Sequence, residues 1–174
     1  NQKRKLTINL ATAYFVPKPF TPFQWEKQIS PEEYLRRVNL LRSSITARNV
    51  TYKWHDAETS LIEAVLSRGD RRVGDVIEAV WKQGGRLDAW NDYFSFERWM
   101  NAFAECGAEP EFYASRERAE NELLPWDHID VGVRKAHLIH EREMCYESRL
   151  SPDCRRQCSA CGAAKLLKGG RCDG

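Results

Sequence analysis

The sequence predicts an α/β segment at the N-terminus, a mainly α-helical domain after it, and an irregular cysteine-rich tail. Three observations carry that prediction. Strand-like runs enclose a helical one before residue 55, helical periodicity takes over afterwards, and four of the six cysteines lie from Cys154 onward. The boundaries follow as 1–55, 56–150 and 151–174. A hydrophobic fraction of 42% beside 30% charged residues is the balance of a globular chain. Six Trp and seven Phe supply large apolar anchors for a core.

The elements follow in chain order. Leu6 to Val16 is rich in β-branched and aromatic residues and is stopped by Pro17, so it reads as a strand. Pro17, Pro19 and Pro22 then exclude helix and hold an extended loop as far as Trp25. Ser30 is placed to cap a helix, with Pro31 at its first position and Glu33 closing a capping box. Tyr34, Leu35, Val38, Leu41 and Ile45 give that helix one apolar face. Val50, Tyr52 and Trp54 alternate with Thr51 and Lys53, which predicts a second strand. Strand, helix, strand is the building unit of an α/β sheet or barrel.

Three helices are expected next. Asp56, Asp70 and Ser95 stand as their caps, and Gly69, Gly84-Gly85 and Gly107 as their ends. A polar stretch, 116–122, leads to Leu124–Asp130 (LPWDHID), and Asp130 is placed to cap a last helix through His137 and Met144. From Ser151 the apolar periodicity is gone.

No stretch approaches the roughly 20 apolar residues of a membrane helix, and a net charge of +2 does not by itself argue for nucleic acid. No signal-peptide core follows the basic residues 1–5, so a cytoplasmic location is expected. The chain lacks an initiator Met, and an upstream segment is expected.

Clustered cysteines favour metal ligation over a secreted disulfide framework, which would spread them through the fold. Cys154, Cys158 and Cys161 have the spacing C-x-x-x-C-x-x-C, with Cys172 available as a fourth ligand. Thiolates at that spacing can converge on zinc or on an iron–sulfur cluster, and both accept four cysteines. Radical SAM enzymes use the same spacing for their SAM-cleaving 4Fe–4S cluster, but the barrel must follow it. Too few residues follow Cys161 for a barrel, so an auxiliary cluster or structural zinc is the better expectation.

Other polar groups are candidates for chemistry. His55 and Asp56 follow a strand, where a general acid or base can sit, although a helix cap accounts for Asp56. His128, between Asp127 and Asp130, can form a polar site or pin a turn. Arg68, Arg71 and Arg72 can grip a phosphate or carboxylate, or border a solvated helix junction. His137, His140 and Glu141 share a helix face but lack the H-E-x-x-H order of zinc proteases.

Phe15–Trp25 (FVPKPFTPFQW), Trp54-His55-Asp56, Arg68–Arg72 (RGDRR), Leu124–Asp130, and Asp153-Cys154-Arg155 with Cys158 and Cys161-Gly162 form a set of motifs spread along the chain. Together they resemble those of the cobalamin-binding radical SAM proteins, a group related to the MiaB and YgiQ enzymes. Phe20 stands where that family's proline loop is expected to carry His. The resemblance implies that residues 6–54 supply the last strands of a radical SAM partial barrel. It also implies that the proline loop, with Lys18 as a substrate- or anion-binding cation, lies at the mouth of the active site. The partners it implies are upstream radical SAM and cobalamin domains of the same chain, with SAM, a 4Fe–4S cluster and cobalamin as cofactors there. An alternative is a zinc-stabilised helical module that binds RNA phosphates through Arg155, Arg156, Lys165, Lys168 and Arg171.

Overall fold

The computed structural model describes residues 6–166. They form a mixed fold that is mostly helical, with a small parallel sheet near the N-terminus. Packing divides the chain into two compact units. The first joins the chain up to Val16 to Gln28–Arg116, and the second joins Pro17–Lys27 to the chain from Glu117 onward.

In the first unit β1 (Ile8–Thr12) pairs in parallel with β2 (Val50–Trp54), from Ile8 opposite Val50 to Thr12 opposite Trp54. The connection is α1 (Pro31–Ser44), so the β–α–β order is as expected. β1 is shorter than the predicted strand, because Tyr14 and Val16 leave the ladder to enter the interior. Two short strands bury little by themselves. The sheet is anchored beyond its ends, where Tyr14 and Tyr34 stack with ring centroids 4.1 Å apart and planes 2° from parallel. The Tyr34 hydroxyl donates to the His55 carbonyl at 2.9 Å, and that of Tyr14 donates to the Ile29 carbonyl. Ser30 caps α1 as expected, accepting from Glu33 N–H. Only Tyr34 and Val38 of its predicted apolar face are buried, whereas Leu35 and Leu41 are exposed.

The larger core of this unit lies among α2 (Ala57–Arg68), α3 (Arg72–Lys82), α4 (Phe96–Glu105) and α5 (Pro110–Ala114). Val65, Val76, Ala102 and Phe103 are almost wholly buried there. Asp56 and Ser95 cap α2 and α4 through Thr59 N–H and Arg98 N–H. Asp70 does not cap α3. Arg71 occupies that position, while the Asp70 carboxylate accepts from Arg72 N–H and pairs with the Arg72 guanidinium. α5 was not predicted, although Pro110 at its first position soon after the helix-ending Gly107 is a sequence signal for it. Gly69 lets α2 and α3 approach closely, since a Cβ there would stand 2.4 Å from Val73 Cγ2 and 2.8 Å from the Val65 carbonyl oxygen.

The second unit is built on α6 (Lys135–Tyr146), whose Leu138 packs with Trp25, Leu124 and Trp126. Asp130 does not cap this helix. Its carboxylate accepts from Gly132 N–H at 2.8 Å, and Gly132, at φ +83°, turns the chain before the helix starts. Among the described residues of the cysteine-rich region, Ala163–Leu166 forms a short 3₁₀ turn. No helix among the described residues is long and apolar enough to cross a membrane.

Two predictions test this packing. Gly69→Ala forces Val73 to shift and should cost about 1–3 kcal/mol in urea unfolding. Burial, and secondarily the nearby Glu32 charge, push the Tyr14 phenol up to about 12 from its ordinary 10.0. The neutral phenol is therefore the form the folded state prefers. Its contribution is complete below pH 10 and is lost as pH rises through about 12. Urea unfolding of the native chain should lose stability more steeply over that interval than that of Tyr14→Phe.

Candidate functional site

The second unit brings together two of the motifs singled out in the sequence, the proline loop and Leu124–Asp130. Three prolines restrict the loop, and the Thr21 hydroxyl, donating to the Lys18 carbonyl at 2.7 Å, tightens its turn. Phe20 is held at φ +60°, a left-handed conformation costly for a residue with a Cβ. What holds it is Gln24, whose Oε1 accepts from Phe20 N–H at 3.0 Å and from Trp126 Nε1–H at 2.7 Å. Because both partners are donors, they identify which end of the Gln24 amide is the oxygen. Gln24 is 3% exposed.

The Leu124–Asp130 segment turns on its own backbone. Asp127 N–H donates to the Leu124 carbonyl, Ile129 N–H to that of Trp126, and Asp127 Oδ2 accepts from Leu124 N–H, each at 3.0 Å. Lys135 Nζ stands 3.5 Å from the same Oδ2. The loop, this turn and α6 border an open cavity of about 410 Å³, lined by Phe20, Gln24, Asp127, His128, Val133 and Leu138 among others. Glu26 ties the loop to α6 from the other side, with Arg142 at 2.6 Å and the Tyr146 hydroxyl at 2.6 Å. That acceptor raises the Tyr146 pKa, and desolvation adds to it.

The cysteines form a second feature of the same unit. Cys158 Sγ accepts from Ala160 N–H and Cys161 Sγ from Ala163 N–H, both at 3.4 Å. Ala160 and Gly162 have positive φ values of +53° and +102°, which turn those amides toward the sulfurs. Amide donors of this kind stabilise a thiolate and tune a metal bound to it. The turn is clasped to the 130–134 segment. Arg134 N–H donates to the Cys161 carbonyl at 2.9 Å, the Arg134 guanidinium to that of Ala160, and Lys165 pairs with Asp130 at 2.8 Å. The bond from Lys165, then that from Gly132 N–H, holds the Asp130 carboxyl below its ordinary range. Cys154 is exposed, and Cys172 lies outside the described residues. Among the described residues no three His, Cys, Asp or Glu side chains converge as a ready ligand set.

The remaining candidates sit elsewhere. His55 and Asp56 line a smaller cavity of about 360 Å³ in the first unit, with Asp56 Oδ1 committed to Thr59. Arg68 is fully buried with Nε donating to the Tyr113 carbonyl at 3.1 Å, so it faces the core. Arg72 is held by Asp70 and lies 5.6 Å from the Phe112 ring centre, whereas Arg71 is exposed. Lys18 belongs to the second unit, so the four predicted cations do not come from one packed body. His137 and Glu141 approach to 3.9 Å, and Glu141 also accepts from Ser151. Gln24 was not singled out in the sequence. Its signal was a polar amide between Phe23 and Trp25 in a proline-ordered loop.

Gly132 is the joint between cavity and cysteine turn, since a Cβ there would stand 2.7 Å from Leu166 Cδ1 at a left-handed φ. Gly132→Ala should loosen the clasp, and amide exchange at Ala160 and Ala163 should accelerate while that of the α2–α4 core stays unchanged.

Comparison with protein-family models, with curated proteins and with solved structures gives no match.

Proposed function

We propose that this chain is the C-terminal region of a cobalamin-dependent radical SAM enzyme, and that Cys154, Cys158 and Cys161 hold an auxiliary iron–sulfur cluster or a zinc ion. The observation that carries the metal assignment is the paired sulfur geometry. Cys158 and Cys161 each receive an amide N–H from two residues further on, in turns that a left-handed Ala160 and Gly162 make possible. An inert thiol gains little from such donors, whereas a metal-bound thiolate needs its charge spread. Cys154 is close in sequence, and Cys172 is the remaining candidate for a closed set of four.

The enzyme assignment rests on the motif resemblance together with the β–α–β unit. Ile8, Leu10 and Trp54, which share one face by register, remain exposed on its two-stranded parallel sheet. Parallel sheets are normally covered on both faces, so these exposed apolar residues suit a face turned toward further parts of a barrel. In this reading the chain closes the barrel and positions the substrate, and the upstream domains supply SAM cleavage and cobalamin. A reducing cytoplasm would keep the thiols available. Arg155 and Lys165, two of the cations an RNA-binding module would need, are paired with Asp153 and Asp130.

Anaerobic reconstitution of the chain with iron and sulfide, beside a zinc titration, tests the metal site. The expected result is tight uptake of one of the two, brown in the iron–sulfur case and colourless with zinc. Cys158→Ser and Cys161→Ser should abolish uptake, and Cys106→Ser and Cys145→Ser should preserve it. Failure of the native chain to retain either metal would sink the assignment. The upstream sequence tests the enzyme class separately, since it must carry a cobalamin domain and a second C-x-x-x-C-x-x-C motif.

A further inference from the structure

The cavity of the second unit presents one unused donor and one unused acceptor. Gln24 Oε1 is fully engaged by Phe20 and Trp126, so the Nε2 end is what this buried amide has left to offer the cavity. Nε2 has no hydrogen-bond partner among the described residues. Asp127 likewise uses Oδ2 for Leu124 N–H and Lys135, and Oδ1 has no partner among the described residues. Gln24 is buried as a residue while Asp127 is exposed at the cavity rim, so solvent reaches these polar ends and a ligand that binds here replaces water on them. The site is also actively maintained, because Phe20 stays in its left-handed conformation through the bond to Gln24.

We propose that this cavity binds a small, neutral, planar amide or lactam. The ligand carbonyl accepts from Gln24 Nε2, and the ligand N–H donates to Asp127 Oδ1. Phe20, Val133 and Leu138 supply apolar walls for the rest of the molecule. The volume of about 410 Å³ falls within the small-molecule range. Lys135 beside Asp127 offsets its charge, which favours a neutral ligand over a cation. This assignment is independent of the cysteine site.

The test follows the side-chain amide of Gln24 and the indole N–H of Trp126 by NMR in the isotope-labelled full chain. The probes are uracil, nicotinamide and glycine anhydride, with dimethyluracil, which has no N–H to donate, as the blocked analogue. Saturable shifts of both signals are expected with at least one probe, and uracil should bind at least about tenfold tighter than its dimethyl form. Preference for uracil or nicotinamide would identify a heteroaromatic ligand, and preference for glycine anhydride a peptide-like one. Gln24→Glu retains an oxygen for Phe20 and Trp126 and turns the free donor into an acceptor, so affinity should fall by about tenfold or more. If that variant loses its native Trp126 signal, Asp127→Asn provides the second reading by reversing the other partner. Absence of a saturable Gln24 shift with every probe, or equal binding of uracil and its dimethyl form, would overturn the proposal.

Discussion

The second unit depends on one side-chain oxygen. Gln24 Oε1 accepts one hydrogen bond from the Phe20 backbone N–H and one from the indole N–H of Trp126, 102 positions further along the chain than Gln24. The Trp126 bond is buried and the Phe20 bond partly so, which makes them stronger than exposed ones and expensive to leave unmade. They keep a proline loop, which has no regular structure of its own, in register with a tryptophan turn far along the chain. Trp25, Leu124 and Leu138 then close over the junction as an apolar floor. Without the amide, Phe20 would have no partner enforcing its left-handed backbone, and the cavity wall would relax.

The first unit is organised differently. Its helices hold one another through a conventional apolar core, while its small sheet relies on two stacked tyrosines and their bonds to backbone carbonyls. Tyr34 belongs to the crossover helix and Tyr14 to the chain leaving β1, so the stack fastens helix to strand. The sheet contributes direction to the chain more than it contributes buried area.

Where local chemistry decides structure, the sequence was a sound guide. Ser30, Asp56 and Ser95 cap helices because each side-chain oxygen reaches an amide three residues on, and that depends on nothing distant. The failures arose where another donor, in most cases only two residues away, competed for the carboxylate. Asp70 was taken by the Arg72 guanidinium, and Asp130 by Gly132 and Lys165. Leu35 and Leu41 fit a helical period but stay exposed among the described residues. Of the candidate site, His128 and Asp127 were legible from their motif. Gln24 was not, because its role exists only once Trp126 is placed beside it. Cysteine spacing likewise indicated ligands without revealing the sulfur-directed amides, which depend on the backbone conformation of Ala160 and Gly162.

The Arg134–Cys161 bond has one more consequence. α6 starts without any side-chain cap, and the peptide N–H at its entry is satisfied by the Cys161 carbonyl. The cysteine turn thus serves as the missing lid on a helix end, where unsatisfied amides otherwise promote fraying. Leu138, one turn inside that end, belongs to the apolar floor beneath Gln24. A chemical event confined to the thiols, such as metal capture or oxidation, would therefore change how firmly α6 is wound and how rigid the cavity wall is. The tail and the cavity form one mechanical circuit, with the first turn of α6 as the conductor.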